Sequence, residues 1–241
     1  MKILALDSTT RVATVAVCED ARPLSLFTTD SGMTQSELLL PMARQALRAA
    51  HLSFTDVELF ALTVGPGSFT GVRIGAALVK GLAFEKHIPC VPVSLMEALA
   101  ENLLPLDGIY CPVADARRAQ VYNALFENKE NAPARLCEDR LLPMHDLLDE
   151  LETKFPGKPV FTCGDAAGAL IALAGKEGRT VRFSPVPDGL LLPCAAAVAR
   201  CGLRGYRAGK AVDDLTLAPV YLRPSQAERE LAEKEKQNEK Q

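Results

Sequence analysis

Continuous and alternating apolar runs divide the start of this chain into short strands and amphipathic helices. Ile3, Leu4, Ala5 and Leu6 form an unbroken apolar run that predicts a buried strand over 2–7. The polar turn Asp7-Ser8-Thr9-Thr10 leads to a second strand over 12–18 and a third over 24–29, a β-meander. Thr34-Gln35-Ser36-Glu37 has capping-box spacing, and Leu38, Leu39, Met42, Ala46 and Leu47 continue it at helical intervals. Pro41 lies beyond the first turn and predicts a bend. A strand over 58–64, a helix from Ser68 to about Lys86 and a strand over 90–93 follow. Ser94-Leu95-Met96-Glu97 opens another capped helix reaching about Leu103, and Leu104-Pro105-Leu106-Asp107-Gly108 breaks the pattern.

A second set of elements begins there. Strands are predicted over 109–114 and 120–126, then a polar segment, a helix over 144–154 and a strand over 159–162. A helix from Asp165, a strand over 180–183 and a helix from Leu190 to about Arg204 complete it. The order loosely repeats that of the first hundred residues, which predicts an α/β fold with a duplicated arrangement of mixed strands and helices. The expected division is 1–103 for a first lobe and 104–224 for a second lobe that includes the C-terminal helix. Residues 225–241, rich in Glu, Lys and Gln, are a charged tail read as a solvated helix end or disorder.

The stretch from Val64 to Gly75 carries the most information. Gly65-Pro66-Gly67 permits a tight turn after a buried strand, and Ser68 is placed to cap the helix behind it. A strand, turn and helix start of this kind can hold an anion. It lacks the Lys-Ser or Lys-Thr of a P-loop and misses the dinucleotide spacing by one residue. Gly67, Gly71 and Gly75 recur every four residues along one stripe of the helix. Glycine costs about 1 kcal/mol against alanine inside a helix, so the row implies close approach of another backbone. That backbone is either this chain's own or a partner's. The expectation adopted is a partner surface through Gly71, Val72, Gly75, Ala76 and Val79.

Composition narrows the chemistry. A formal net charge of −3 argues against a free-standing nucleic-acid binder. No apolar run approaches the ~20 residues of a membrane span, and 1–7 runs straight into an acid-ended strand, so no signal peptide is expected. The 7 cysteines form no Cys-x-x-Cys pair, which suits free thiols in a reduced, cytoplasmic protein, with Cys18, Cys90 and Cys111 inert in the core. His51, His87 and His145 are far apart and support neither a metal centre nor a Ser-His-Asp grouping.

With these residues in view, the chain resembles the TsaB (YeaZ) family. The resemblance rests on the stretches 3–10, 36–41 and 65–75, and on Lys80-Gly81-Leu82-Ala83. It continues through Asp115-Ala116-Arg117-Arg118, Val121-Tyr122 and Tyr221-Leu222-Arg223. Gln35 departs from it, standing where many relatives have histidine. The resemblance implies two actin-like lobes of the sugar kinase/Hsp70 type. It also implies a role in threonylcarbamoyl transfer to adenosine 37 of ANN-decoding tRNAs. Its implied partners are a catalytic paralogue, TsaD, and an ATPase, TsaE, with a homodimer when alone and tRNA met only through the complex. In TsaD a comparable helix carries His-x-x-x-His as metal ligands. The corresponding positions here are Leu95 and Leu99, which offer no lone pair, so a non-catalytic subunit without metal is implied.

No cofactor is required on this reading, and ATP or ADP binding would be weak. The nucleotide-site candidates are Asp7, Ser8 and Thr9 at the first strand's end and Gly164 and Asp165 in the second lobe. Each has a structural alternative: Asp7 capping its own turn, and Asp165 capping a helix. Asp115, Arg117 and Arg118 are either a phosphate or partner contact or a solvated turn. Two rival functions remain. An autonomous actin-like ATPase or kinase would lose turnover on changing Asp7, and a metal-dependent peptidase would need ligands the sequence does not cluster.

Overall fold

Strand β1 (Lys2–Asp7) has five fully enclosed residues, and the first sheet assembles around it. β2 (Ala13–Glu19) pairs with it antiparallel, Asp7 opposite Thr14, and β3 (Arg22–Thr29) extends the meander. On its other side β4 (Leu59–Gly65) and β5 (Cys90–Ser94) add in parallel, for the order β3-β2-β1-β4-β5. Parallel neighbours need crossovers, and α1 (Gln35–Ala49) and α2 (Phe69–Ala83) supply them. The Glu37 carboxylate accepts from the Thr34 N–H at 2.9 Å, fixing the start of α1, which then runs on through Pro41.

The second sheet is built on β6 (Ile109–Asp115). β7 (Gln120–Asn123) and β8 (Phe126–Lys129) each pair antiparallel with part of it. β9 (Ala132–Arg135) joins β8, β10 (Arg140–Pro143) joins β7, and β11 (Val160–Cys163) lies parallel to β6. An antiparallel neighbour on one side and a parallel one on the other repeats the relation of β1 to β2 and β4. The duplication expected from element order is present in the topology.

Helices cover all four sheet faces in this computed structural model, which describes residues 1–223. α1 and α2 pack on one face of the first sheet, with Leu39, Ala43, Val79 and Ala83 against Leu4, Leu6, Phe60 and Leu62. α6 (Ala195–Arg207) covers the other face, its alanines lying on Ile3, Ala5, Ala16 and Ala61. α3 (Leu95–Asn102) packs on one face of the second sheet, and α4 (Met144–Lys154) and α5 (Ala167–Lys176) on the other. The layers run helix, sheet, helix, sheet, helix, the two-lobed actin-like architecture. In the middle layer the buried Glu101 of α3 accepts from Arg200 Nε at 2.7 Å and Arg204 Nη2 at 2.6 Å on α6.

Several expectations change. The C-terminal helix does not belong with the second lobe: it returns to the first, as does the segment behind it, where Leu217 is buried in the first core. It begins at Ala195 rather than Leu190, because Pro193 interrupts the approach and Cys194 occupies the cap position. The strand expected over 120–126 is split at buried Asn123, whose side-chain amide donates to the Pro112 and Ala124 carbonyls. The polar segment conceals β9 and β10, and 180–183 contributes only the bridge from Phe183 to Val160. The tail over 225–241 lies outside the described residues.

Candidate functional site

One wall of the cleft between the sheets is made where the β1–β2 turn meets the start of α2. Ser68 caps α2 as the spacing predicts, accepting from the Gly71 N–H at 3.2 Å. Backbone lies directly on backbone here. The Ser68 N–H donates to the Thr9 carbonyl at 2.6 Å, and the Ser8 hydroxyl donates to the Gly71 carbonyl at 2.9 Å. A Cβ on Gly71 would overlap the Ser8 carbonyl oxygen, and one on Gly67 would overlap that of Thr9. On Gly75 it would stand 2.5 Å from the Ser8 hydroxyl.

The glycine row therefore serves close approach, but the second backbone is the chain's own. This corrects the expected partner surface. Gly71, Val72, Gly75, Ala76 and Val79 are all buried within the first lobe. The side of α2 facing outward carries Thr70, Arg73, Ala77, Gly81 and Phe84 instead. Small-residue spacing on a helix tells that something comes close, not what it is.

Asp7 is sealed beneath this contact, fully buried. Its carboxylate accepts from the Thr9 N–H and hydroxyl, each at 2.9 Å, which is the turn-capping alternative. Burial pushes the Asp7 carboxyl above its ordinary value of 3.8, against the lowering effect of Thr63 and Thr9 nearby.

The cleft itself holds about 840 Å³. Thr9 and Ser68 line it from the first lobe, Asp115, Arg117 and Asp165 from the second, and 220–223 from the C-terminal segment. Of the five nucleotide candidates, Thr9 and Asp165 reach the cleft wall, whereas Asp7, Ser8 and Gly164 do not. Gly164 has φ +97°, and a Cβ there would overlap the Val113 carbonyl oxygen, so packing accounts for that glycine. Asp165 accepts from the Asp115 N–H at 2.9 Å rather than capping a helix. Desolvation in the cleft, and then the Asp115 carboxylate, raise its carboxyl above 3.8.

The cationic side chains of the cleft already have protein partners. Arg11 pairs with Asp30 at 2.6 Å, Arg117 with Asp115 at 3.3 Å, and Arg223 donates to the Ala116 carbonyl at 3.0 Å. Arg117, Arg118 and Ala119 follow one another in left-handed backbone, and the two arginines are exposed, the solvated-turn alternative. At the rim, a cluster that sequence reading missed joins distant segments. Arg73 stacks over the Phe69 ring at 3.8 Å and donates to the Tyr221 hydroxyl at 2.8 Å. The aromatic types at 69 and 221 were visible, but 152 residues separate them and no local pattern links them.

Leu95 and Leu99 are fully buried and pack with Tyr110, Phe126 and Cys163 between α3 and the second sheet. Among the described residues, no three His, Cys, Asp or Glu side chains gather as a ligand group. Cys18, Cys90 and Cys111 are buried as expected, and desolvation pushes their thiols up to about 11, 12 and 12. His51 and His87 stand in left-handed backbone just past the ends of α1 and α2.

Known proteins share this chain's sequence and shape. The family model described as "TsaD: tRNA N6-adenosine threonylcarbamoyltransferase" matches residues 31–185. The tRNA threonylcarbamoyladenosine biosynthesis protein TsaB of Escherichia coli (strain K12) is 31% identical over 98% of this chain and 100% of its own length. The protein of the same name from Bacillus subtilis (strain 168) is 29% identical, with the same coverage. The solved structure of YeaZ from Pseudomonas aeruginosa superposes with a TM-score of 0.76 at 26% identity, covering 92% of this chain and 99% of that one.

Two outcomes follow from the geometry. Gly71→Ala overpacks a contact that has no room, at a cost of about 1–3 kcal/mol. Its melting temperature is expected about 2–12 °C lower, and an unchanged melt would contradict the contact. The Asp7 effect depends on pH. Because its folded value lies above the unfolded 3.8, its stabilising contribution is complete below 3.8 and lost as pH rises through the folded value. Asp7→Asn removes that loss, so its melting temperature relative to the parent should be higher at pH 7 than at pH 4. A pH-independent difference would show that Asp7 titrates normally.

Proposed function

The chain belongs to the TsaB (YeaZ) family, and from that premise we propose that it is a non-catalytic subunit in the making of tRNA threonylcarbamoyladenosine. It takes part in that biosynthesis by supporting a TsaD-like catalytic paralogue together with a TsaE-like ATPase. The transfer is to adenosine 37 of ANN-decoding tRNAs. The observation that carries this reading is the packing of Leu95 and Leu99. These positions correspond to the TsaD metal ligands, and here they are filled by apolar side chains closed off from the cleft. A metal-dependent peptidase finds no support in that core.

On this reading the chain meets tRNA only within the complex and forms a homodimer when alone. Reconstitution tests it. Modification of an ANN-decoding tRNA is expected only when this chain, the TsaD-like protein and the TsaE-like protein are combined. Full modification without this chain, or transfer by this chain alone, would overturn the proposal.

The cleft keeps the position of a nucleotide site but offers it little. Asp7 is sealed under the Ser8–Thr9 turn, and the nearby guanidiniums are already paired, so charge-assisted contacts to phosphate are few. The chain therefore binds ATP or ADP weakly and needs neither. Calorimetry of the isolated chain should show no saturable ADP binding below the millimolar range. A micromolar Kd would favour the autonomous ATPase or kinase instead.

A further inference from the structure

The segment behind α6 crosses from one lobe to the other. It leaves the helix and exchanges backbone hydrogen bonds between Val212 and Cys90, at 2.8 and 2.9 Å, on the free edge of β5. Lys80 of α2 then donates to the Leu215 and Leu217 carbonyls at 3.2 and 3.1 Å, and the Leu217 side chain is buried in the first core. The Val220 N–H donates to the Val64 carbonyl at 2.8 Å. Every one of these attachments is to the first lobe. Tyr221, Leu222 and Arg223 continue along the cleft mouth, where Arg223 Nη1 donates to the Ala116 carbonyl of the second lobe at 3.0 Å.

We propose that residues 212–223 form a strap across the cleft mouth, with Arg223 as a releasable tether between the lobes. The asymmetry of its attachments carries the inference. Its hold on the first lobe combines backbone hydrogen bonds, a lysine on two carbonyls and a buried leucine. Among the described residues, its hydrogen bond to the second is one guanidinium on one carbonyl. Separating the lobes at this side breaks the Arg223 contact first and leaves the rest in place.

The rim aromatics fit a clasp rather than a platform for a ligand. Phe69 has Arg73 over it at 3.8 Å and the tilted Tyr221 ring at 4.7 Å, so the three side chains engage one another. The Arg73 bond to the Tyr221 hydroxyl fixes the strap just before the tether. This inference concerns access to the cleft and does not depend on what the cleft binds.

Amide hydrogen exchange on the full chain tests it without any ligand. The Asp115 N–H donates to Asp165, the Ala116 N–H to Gln120, and the Val12 N–H to Thr10, so both cleft walls carry amides whose opening can be read. Arg223→Ala should raise exchange over 114–117 and 9–12 on the order of tenfold, the weight of one hydrogen bond to a charged group. Exchange within β1 and α2 should stay at parental rates. Tyr221→Phe keeps the ring and loses the hydroxyl, and should raise exchange over 220–223 with a smaller rise over 114–117. Parental exchange over 114–117 and 9–12 in Arg223→Ala would overturn the proposal, whatever happens within the strap. A general rise that includes β1 would overturn it too, because Arg223 would then be supporting the fold.

Discussion

Everything around the cleft depends on how closely the Ser8–Thr9 turn can lie on the start of α2. The contact is backbone against backbone, bounded by hydrogen bonds from Ser68 to Thr9 and from Ser8 to Gly71. Protein interiors tolerate little excess volume, and here even one methyl group has no space. The cost of three glycines in and before a helix is offset by what this approach arranges. It sets α2 against the first sheet, closes the turn over Asp7, and presents Thr9 and Ser68 as one cleft wall. The rim cluster follows, because Phe69 and Arg73 occupy the next outward positions on the same helix.

That constraint also decides what the polar groups beneath the cleft wall do in this actin-like frame. A carboxylate at the end of the first strand is present, but it is a buried turn cap held mostly by Thr9. Burial favours its neutral form, the opposite of what a cation site needs. At α3, Leu95 and Leu99 complete a core between the helix and the second sheet. The polar work in that middle layer is done by Glu101 with Arg200 and Arg204, which join α3 to α6. The buried side chains at these positions hold the shape of the lobes.

The sequence was most legible where a signal is local. The apolar run 3–6, the Thr34–Glu37 cap and the Ser68 cap all correspond to observed elements. Legibility failed where strands are only four residues long and half exposed, as in β9 and β10, because alternation needs more length to register. It failed again for α6, whose helical pattern was plain but whose return to the first sheet is a long-range fact. The glycine stripe signals close approach but not the partner surface expected from it, since periodicity carries no information about the opposing chain. The cleft candidates divided for a similar reason. Thr9 and Asp165 reach the wall, while Asp7, two residues before Thr9 at the end of β1, is held beneath the turn by the bonds it accepts from Thr9.

On the proposed function, this chain contributes through association and carries no reaction step of its own, and the proposal is open to a kinetic test. The experiment is a titration of the chain into a fixed amount of the TsaD-like protein, with excess TsaE-like ATPase, tRNA and threonylcarbamoyl donor. The initial rate of modification should rise with the chain and then level at a fixed ratio to the TsaD-like protein. The plateau should scale with the TsaD-like protein alone. A rate that keeps rising in proportion to this chain, long past any fixed ratio, would contradict it.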